Sequence, residues 1–258
     1  MFDYTNQVVA ITGASSGLGK QMAHGFAEQG ATLFLMDINE RGLTETVSEF
    51  KQEEINCIGH TLDVTDAAAI EKAAQRVKNE FGKVDVLVNC AGKAKDVGVL
   101  EMSTEDWRST IECDLSSIFY MTRSFGQIMK NRGYGRIINI SSMYGLVGNM
   151  LTGTIAYHSA KGGVINFTRA AAAELSKYNI TVNAICPGYF ETEMTRKVYS
   201  EMPAQAQQNF ATYVKTHAPM ARIGKEGELN AAACFLGSKE ASYVTGVILP
   251  VDGGYTCV

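Results

Sequence analysis

Seven short apolar runs recur along the chain with longer amphipathic segments between them, and this alternation limits the fold more than any other feature. The runs are Val8 to Thr12, Thr32 to Met36, Asn56 to Thr61, Val84 to Val88, Arg136 to Ile140, Thr181 to Ile185 and Val247 to Pro250. A strand with one wet face alternates apolar and polar residues, whereas a near-continuous apolar run belongs to a parallel strand covered on both faces. Helical patterns over Leu18 to Gln29, Ala67 to Phe81, Glu105 to Lys130 and Ala156 to Tyr178 supply the covering layers. The rhythm predicts an α/β fold, a single-domain doubly wound parallel sheet with helices on both faces. No linker divides residues 1–258. Glu191 to Lys225, rich in Met, Gln and Thr, breaks the rhythm and is expected to form a helical flap at about residues 191–225.

Composition narrows the ligand. The chain has 23 Lys plus Arg against 27 Asp plus Glu, a formal charge of −4, so no basic surplus draws it to nucleic acid. The six cysteines show no C-x-x-C pair and no zinc spacing, which points to reduced core thiols and to no metal. The N-terminus has no basic segment leading into a long apolar run, and no stretch nears the ~18 apolar residues of a membrane span. A cytoplasmic protein with a small-molecule ligand is expected.

The first apolar run leads into Thr12-Gly13-Ala14-Ser15-Ser16-Gly17-Leu18-Gly19, three glycines where a strand turns into a helix. Free amides at such a helix start face a pyrophosphate. The second run ends in Met36-Asp37, 24 residues after Gly13, where a carboxylate accepts both hydroxyls of an adenosine ribose. No Lys or Arg stands at Ser16 or Ile38 to neutralise a 2′-phosphate, so NAD is expected over NADP, with Arg41 the one residue able to soften the preference. Two further strand ends reach the same crevice, Asp63-Val64 and Asn89-Cys90-Ala91-Gly92, the latter small enough for close approach of a cofactor.

Tyr157 and Lys161 are four apart on a predicted helix, so both project from one face. An ammonium beside a phenol favours the phenolate and brings a poor base toward neutrality. Ser141 and Ser142 follow the fifth apolar run, where a hydroxyl reaches the same crevice and bonds a substrate oxygen.

In combination these motifs resemble the short-chain dehydrogenase/reductase family, of the compact variety, over nearly the whole chain. They are TGASSGLG from Thr12, Asp37, Asp63-Val64, NCAG from Asn89, the ISS ending at Ser142, YHSAK from Tyr157, PGYFET from Pro187 and VDGG from Val251. The resemblance implies a Rossmann-type sheet and no metal. It makes Tyr157 the acid/base, Lys161 its partner and ribose ligand, and Ser142 the residue that orients substrate. It brings Thr192 to the nicotinamide carboxamide, with the backbone near Pro187 and Gly188 flanking the ring. It also implies pairing of the long helices with their copies, so a homotetramer is expected, or a dimer. Three departures stand out. Asp114 occupies the position of the asparagine that usually completes the tetrad, Cys90 replaces the second asparagine of NNAG, and the interval from Ser142 to Tyr157 is about two residues longer than is common. A carboxylate at position 114 competes for Lys161, so Asp114→Asn is expected to retain or raise activity at neutral pH.

Residues expected at the mouth are Lys93, Lys95, Tyr144, Asn149, Tyr189 and Met194, with Thr152, Thr154 and His158 nearby. Lysines after the NCAG turn suit a carboxylate, and the stretch SSMYGLVGN resembles the gluconate 5-dehydrogenase branch, so a sugar acid or similar polar hydroxy compound is expected. Two alternatives stay open within the family, a hydroxysteroid enclosed by Met194, Tyr199, Met202, Phe210 and Tyr213, or a 3-oxoacyl group. A third, of another class, is an NAD-binding sensor or structural subunit without turnover, against which the intact Ser142, Tyr157 and Lys161 argue.

Overall fold

A computed structural model describes residues 2–148 and 153–257, the side chains of residues 194, 197 and 198 excepted. Seven strands are β1 (Val8–Thr12), β2 (Thr32–Asp37), β3 (Cys57–Thr61), β4 (Val86–Asn89), β5 (Gly135–Ile140), β6 (Ile180–Pro187) and β7 (Ile248–Val251). They form one sheet in the order β3-β2-β1-β4-β5-β6-β7, every pairing parallel. Each apolar run of the sequence is thus a strand, within a residue or two at its ends. The order reverses between β1 and β4, and the crevice outside the carboxyl ends of those two strands is where ligands of such sheets bind.

Side chains alternate across the sheet and build two cores. Val9 and Ile11 face one side, with Met22 and Phe26 of α1 (Gly17–Ala27), Leu43 and Phe50 of α2 (Glu40–Gln52) and Ala233 of a later helix. Val8 and Ala10 face the other, with Ile70 and Val77 of α3 (Ala67–Phe81) and Met121, Phe125 and Met129 of a later helix. Caps end the helices where the sequence supplies them. Asp66 accepts from Ala68 N and Ala69 N at the start of α3, and Gly82, in the left-handed region at φ 70°, closes it.

The segment expected as one helix over Glu105 to Lys130 is broken. It consists of α4 (Thr104–Ile111), a π-helical turn (Glu112–Ser116) and α5 (Ser117–Arg132). The extra residue per turn rotates Asp114, on the polar stretch Glu112-Cys113-Asp114, into the interior, where it is 0% exposed. Long α6 (Ile155–Leu175) follows, ending in a 3₁₀ turn (Ser176–Tyr178).

The break in rhythm after β6 is helical, α7 (Glu193–Glu201) and α8 (Ala204–His217), before α9 (Asn230–Gly237) returns to the sheet. This segment leaves and rejoins the body at neighbouring points, since Gly224 N donates to Tyr189 O at 2.8 Å and Glu191 N to Gly224 O at 2.8 Å. The buried Gln21 amide on α1 spans both roots, donating to Glu191 O at 3.0 Å and accepting from Gly227 N at 3.4 Å. All six cysteines are free thiols, and Cys257 is exposed rather than in the core. Among the described residues no helix is long and apolar enough to cross a membrane.

Candidate active site

The β1 exit is shaped by close approach. Gly13 has φ 69°, and a Cβ there would stand 3.1 Å from the Ala91 backbone; a Cβ at Gly19 would stand 2.1 Å from Gly13 O. The turn is therefore flush with both β4 and its own helix. Ser16, the N-cap of α1, makes no side-chain bond to the helix, so the first amides remain available to an anion. Asp37 accepts from Ser15 N at 3.0 Å and Asn39 N at 2.9 Å, which fixes its carboxylate beside the turn. Arg41 is 89% exposed and bonds Glu45, so it does not neutralise Asp37.

At β4 the Thr12 hydroxyl accepts from Cys90 N at 3.0 Å and Ala91 N at 3.1 Å. Beneath, Asn89 donates to Asn139, which donates to Thr168 on α6, a buried polar chain that ties β4, β5 and α6. Burial pushes the Cys90 thiol up to about 12, so it stays a neutral neighbour. Asp63 at the exit of β3 is exposed and folds onto Thr65, while Val64 is buried.

Two serines end β5 and divide the work. Ser141 Oγ donates to Lys161 O at 2.8 Å, which fastens the strand end to α6. Ser142 Oγ accepts from Tyr144 N at 3.1 Å, which leaves its own hydrogen free to donate to a ligand. Lys161 is buried and donates to Ile140 O at 3.0 Å. Its ammonium lies 5.5 Å from the Tyr157 ring centroid and 3.4 Å from Asp114 Oδ2. Burial by itself lowers the Lys161 ammonium, but Asp114, then Tyr157 and Cys90, outweigh it and hold the group above the ordinary lysine range. Asp114 Oδ1 accepts from Lys93 N at 2.9 Å. Thus Ser142 after β5, Tyr157 and Lys161 on α6, and Asp114 on the π turn converge at the carboxyl end of the sheet.

Residues 13–256 match a family model described as enoyl-(acyl carrier protein) reductase. Galactitol 2-dehydrogenase (L-tagatose-forming) of Cereibacter sphaeroides is 40% identical over 99% of this chain and 97% of its own. The 3-oxoacyl-[acyl-carrier-protein] reductase of Thermotoga maritima is 37% identical over 96% of this chain and 97% of its own. The chain belongs to the short-chain dehydrogenase/reductase family. Among solved members, a provisionally assigned gluconate dehydrogenase from Agrobacterium tumefaciens superposes with a TM-score of 0.93 at 36% identity, covering 100% of this chain and 98% of that one. An actinorhodin polyketide ketoreductase crystallised with NADPH superposes at 0.90 and 32% identity, covering 98% of each chain. As an oxidoreductase of this family the protein binds a nicotinamide cofactor, and the cramped glycine turn, the uncapped start of α1 and Asp37 fit its pyrophosphate and ribose.

In this short-chain dehydrogenase/reductase Pro187 ends β6, and Gly188 N donates to Val251 O at 3.0 Å. Thr192 is buried, caps α7 reciprocally with Thr195, and has its methyl 3.9 Å from where a Cβ at Gly17 would stand. The expected mouth residues part company. Lys93 Nζ donates to Ser109 Oγ at 2.6 Å and Lys95 Nζ to Asp106 at 2.6 Å, so both ammonium groups reach α4. Each exposed head makes one such bond and keeps further N–H groups at the mouth. Asn149, Thr152 and the side chain of Met194 lie outside the described residues.

Tyr144 and Tyr189 instead meet hydroxyl to hydroxyl. The Tyr144 ring stacks on His158, the neighbour of Tyr157, at 4.7 Å, and Tyr189 packs edge-on against Phe210 of α8 at 5.1 Å. Tyr213 and Tyr255 bond at 2.7 Å behind them. Burial raises Tyr144, Tyr189 and Tyr255 alike, which keeps these phenols neutral donors. Sequence reasoning missed Tyr255 and the buried roles of Asn139 and Thr168. A polar Asn139 inside the apolar run Arg136 to Ile140 was the available signal.

Proposed function

We propose that this oxidoreductase uses NAD to oxidise a secondary alcohol of a polyhydroxy compound, with ketone reduction as the reverse. The observation that carries the reading is the buried Lys161 ammonium held between Ile140 O, Asp114 and the Tyr157 ring. Bound NAD supplies the hydride acceptor. Tyr157 takes the hydroxyl proton as the hydride leaves, and the Lys161 charge offsets the negative charge that develops on the phenol oxygen. Lys161 gives one N–H to Ile140 O and pairs with Asp114 at 3.4 Å, which leaves an N–H for the ribose. Ser142 donates its free hydrogen to the substrate oxygen and fixes its orientation.

Asp37 supports NAD over NADP, because a 2′-phosphate beside its carboxylate meets repulsion with Arg41 turned away. Neutral tyrosine hydroxyls at Tyr144 and Tyr189 support a hydroxyl-rich substrate, and the similarity to galactitol 2-dehydrogenase points the same way. A sugar acid stays within this reading, since Lys93 and Lys95 each keep N–H groups beyond their single bonds to α4. Similarity to 3-oxoacyl-[acyl-carrier-protein] reductases favours a second reading, carrier-bound ketone reduction with NADPH, which Asp37 opposes. A cytoplasmic setting agrees with six unpaired cysteines. Assembly as a homotetramer through α5 and α6 is part of the proposal, and light scattering tests it.

The experiment is NADH formation across alditols, sugar acids, hydroxy acids and hydroxysteroids, repeated with NADP, and the reverse reaction on 3-oxoacyl thioesters. Galactitol or a related alditol is expected to turn over with NAD at a kcat/KM at least about a hundredfold above NADP. A preference for NADPH with acyl thioesters overturns the reading.

A further inference from the structure

The site holds a charge that the proposed hydride transfer leaves unused. Asp114 is completely buried on the π-helical turn, and its Oδ2 has no hydrogen-bond partner among the described residues, only the Lys161 ammonium at 3.4 Å. A carboxylate, not a neutral amide, stands at this position. Its place relative to the crevice is defined by Gly92 at the exit of β4, where an added Cβ would stand 3.0 Å from Asp114 Oδ2 and 3.2 Å from Lys161 Nζ. Both charges therefore press against the backbone that floors the cofactor cleft. The two charges are opposite and offset each other, and the nearby Lys93 and Lys95 ammonium groups bond Ser109 and Asp106 instead of the carboxylate.

We infer that Asp114 biases the site toward the oxidised cofactor by offsetting the buried Lys161 ammonium, which alone would repel a cationic nicotinamide ring and leave a neutral one unaffected. This rests on the NAD reading above. NAD and NADH share the adenosine, the pyrophosphate and both riboses, and they differ at the ring by one positive charge. A carboxylate that merely braces Lys161 or the π turn affects both forms equally. A carboxylate acting through its charge affects their difference, and in a buried, low-dielectric surround that difference is large enough to measure. The consequence is an enzyme poised for alcohol oxidation.

Calorimetric titration with NAD and with NADH tests this without any alcohol substrate. Asp114→Asn is expected to raise the ratio Kd(NAD)/Kd(NADH) at least about fivefold, through weaker NAD binding. Asp114→Glu, which keeps the charge, is expected to hold the ratio within about threefold of the original protein. Asp114→Ser is a second neutral variant if the asparagine form does not fold. A smaller change of ratio in the neutral variant, equal weakening of both forms, or a glutamate variant that follows the neutral one overturns the inference. Failure of the unaltered protein to bind either form overturns the cofactor reading instead.

Discussion

Replacing Asp37 with serine is expected to reverse the coenzyme preference, and the size of the effect follows from what the carboxylate touches. Its two oxygens accept the amides of Ser15 and Asn39, so it sits at the edge of the glycine turn with lone pairs left for ribose hydroxyls. Two hydrogen bonds to a charged acceptor contribute about 1.5 kcal/mol each at the low end, so Asp37→Ser weakens NAD by about 3 kcal/mol, or a hundredfold. For NADP the change runs the other way. One unit of like charge ~5 Å away costs about 3 kcal/mol at an effective dielectric of 20, and partial exposure with salt screening halves it, so relief strengthens NADP about tenfold. The freed Ser15 and Asn39 amides then point at the space a phosphate oxygen would fill. The ratio of kcat/KM for NAD over NADP should fall about a thousandfold, measured by initial rates with each coenzyme at fixed alcohol. A fall of less than about tenfold would refute the assignment of Asp37 to the ribose.

Four further outcomes are expected. Tyr157→Phe should lose at least about a thousandfold in kcat while NADH still binds within threefold in a fluorescence titration, and unchanged turnover would remove Tyr157 from the chemistry. Asp114→Asn should retain or raise turnover at neutral pH and saturating NAD, since the carboxylate no longer competes for Lys161; a loss beyond a hundredfold would show that the charge is required. The same variant should melt lower, because breaking a buried pair costs about 3 kcal/mol, or roughly 6–12 °C here. Lys161 stands above its unfolded value, so the pair's stabilisation is complete below about pH 10 and is lost as pH rises through the folded value, and the melting gap should narrow only in that alkaline range. Near the end of the α7 to α8 segment, Arg222 and the Lys225 amide hold Glu228 down to about 2. Its contribution is present above the ordinary carboxylate range and is lost as pH falls toward 2, so hydrogen exchange at residues 222–228 should quicken over that acid window and stay level in Glu228→Gln.

Much of the fold was legible because parallel strands covered on both faces must be apolar throughout, and Val8 to Thr12 or Arg136 to Ile140 cannot be read otherwise. The glycine turn, Asp37 and the Tyr157 to Lys161 spacing were legible for a similar reason, since each depends on local geometry fixed by a few consecutive residues. The break at Glu112–Ser116 was not. A π turn is a compromise between neighbouring helices and leaves a helical period on either side nearly intact. The partners of Lys93 and Lys95 were equally hidden, because a lysine head has many acceptors within reach and the sequence does not rank them. The aromatic wall needed the fold itself, since Tyr144, Tyr189, Phe210 and Tyr255 come from four separate stretches.

The way α7 and α8 are attached bears on how such a protein diversifies. Two short backbone bonds at Glu191 and Gly224 bring their ends together, and Gln21 grips both roots from the nucleotide helix. Once the ends of an excursion are pinned, its length has little thermodynamic weight, about 0.6 kcal/mol for each doubling. The helical insert is therefore free to be lengthened, trimmed or rebuilt while the sheet and its hydride machinery stay as they are.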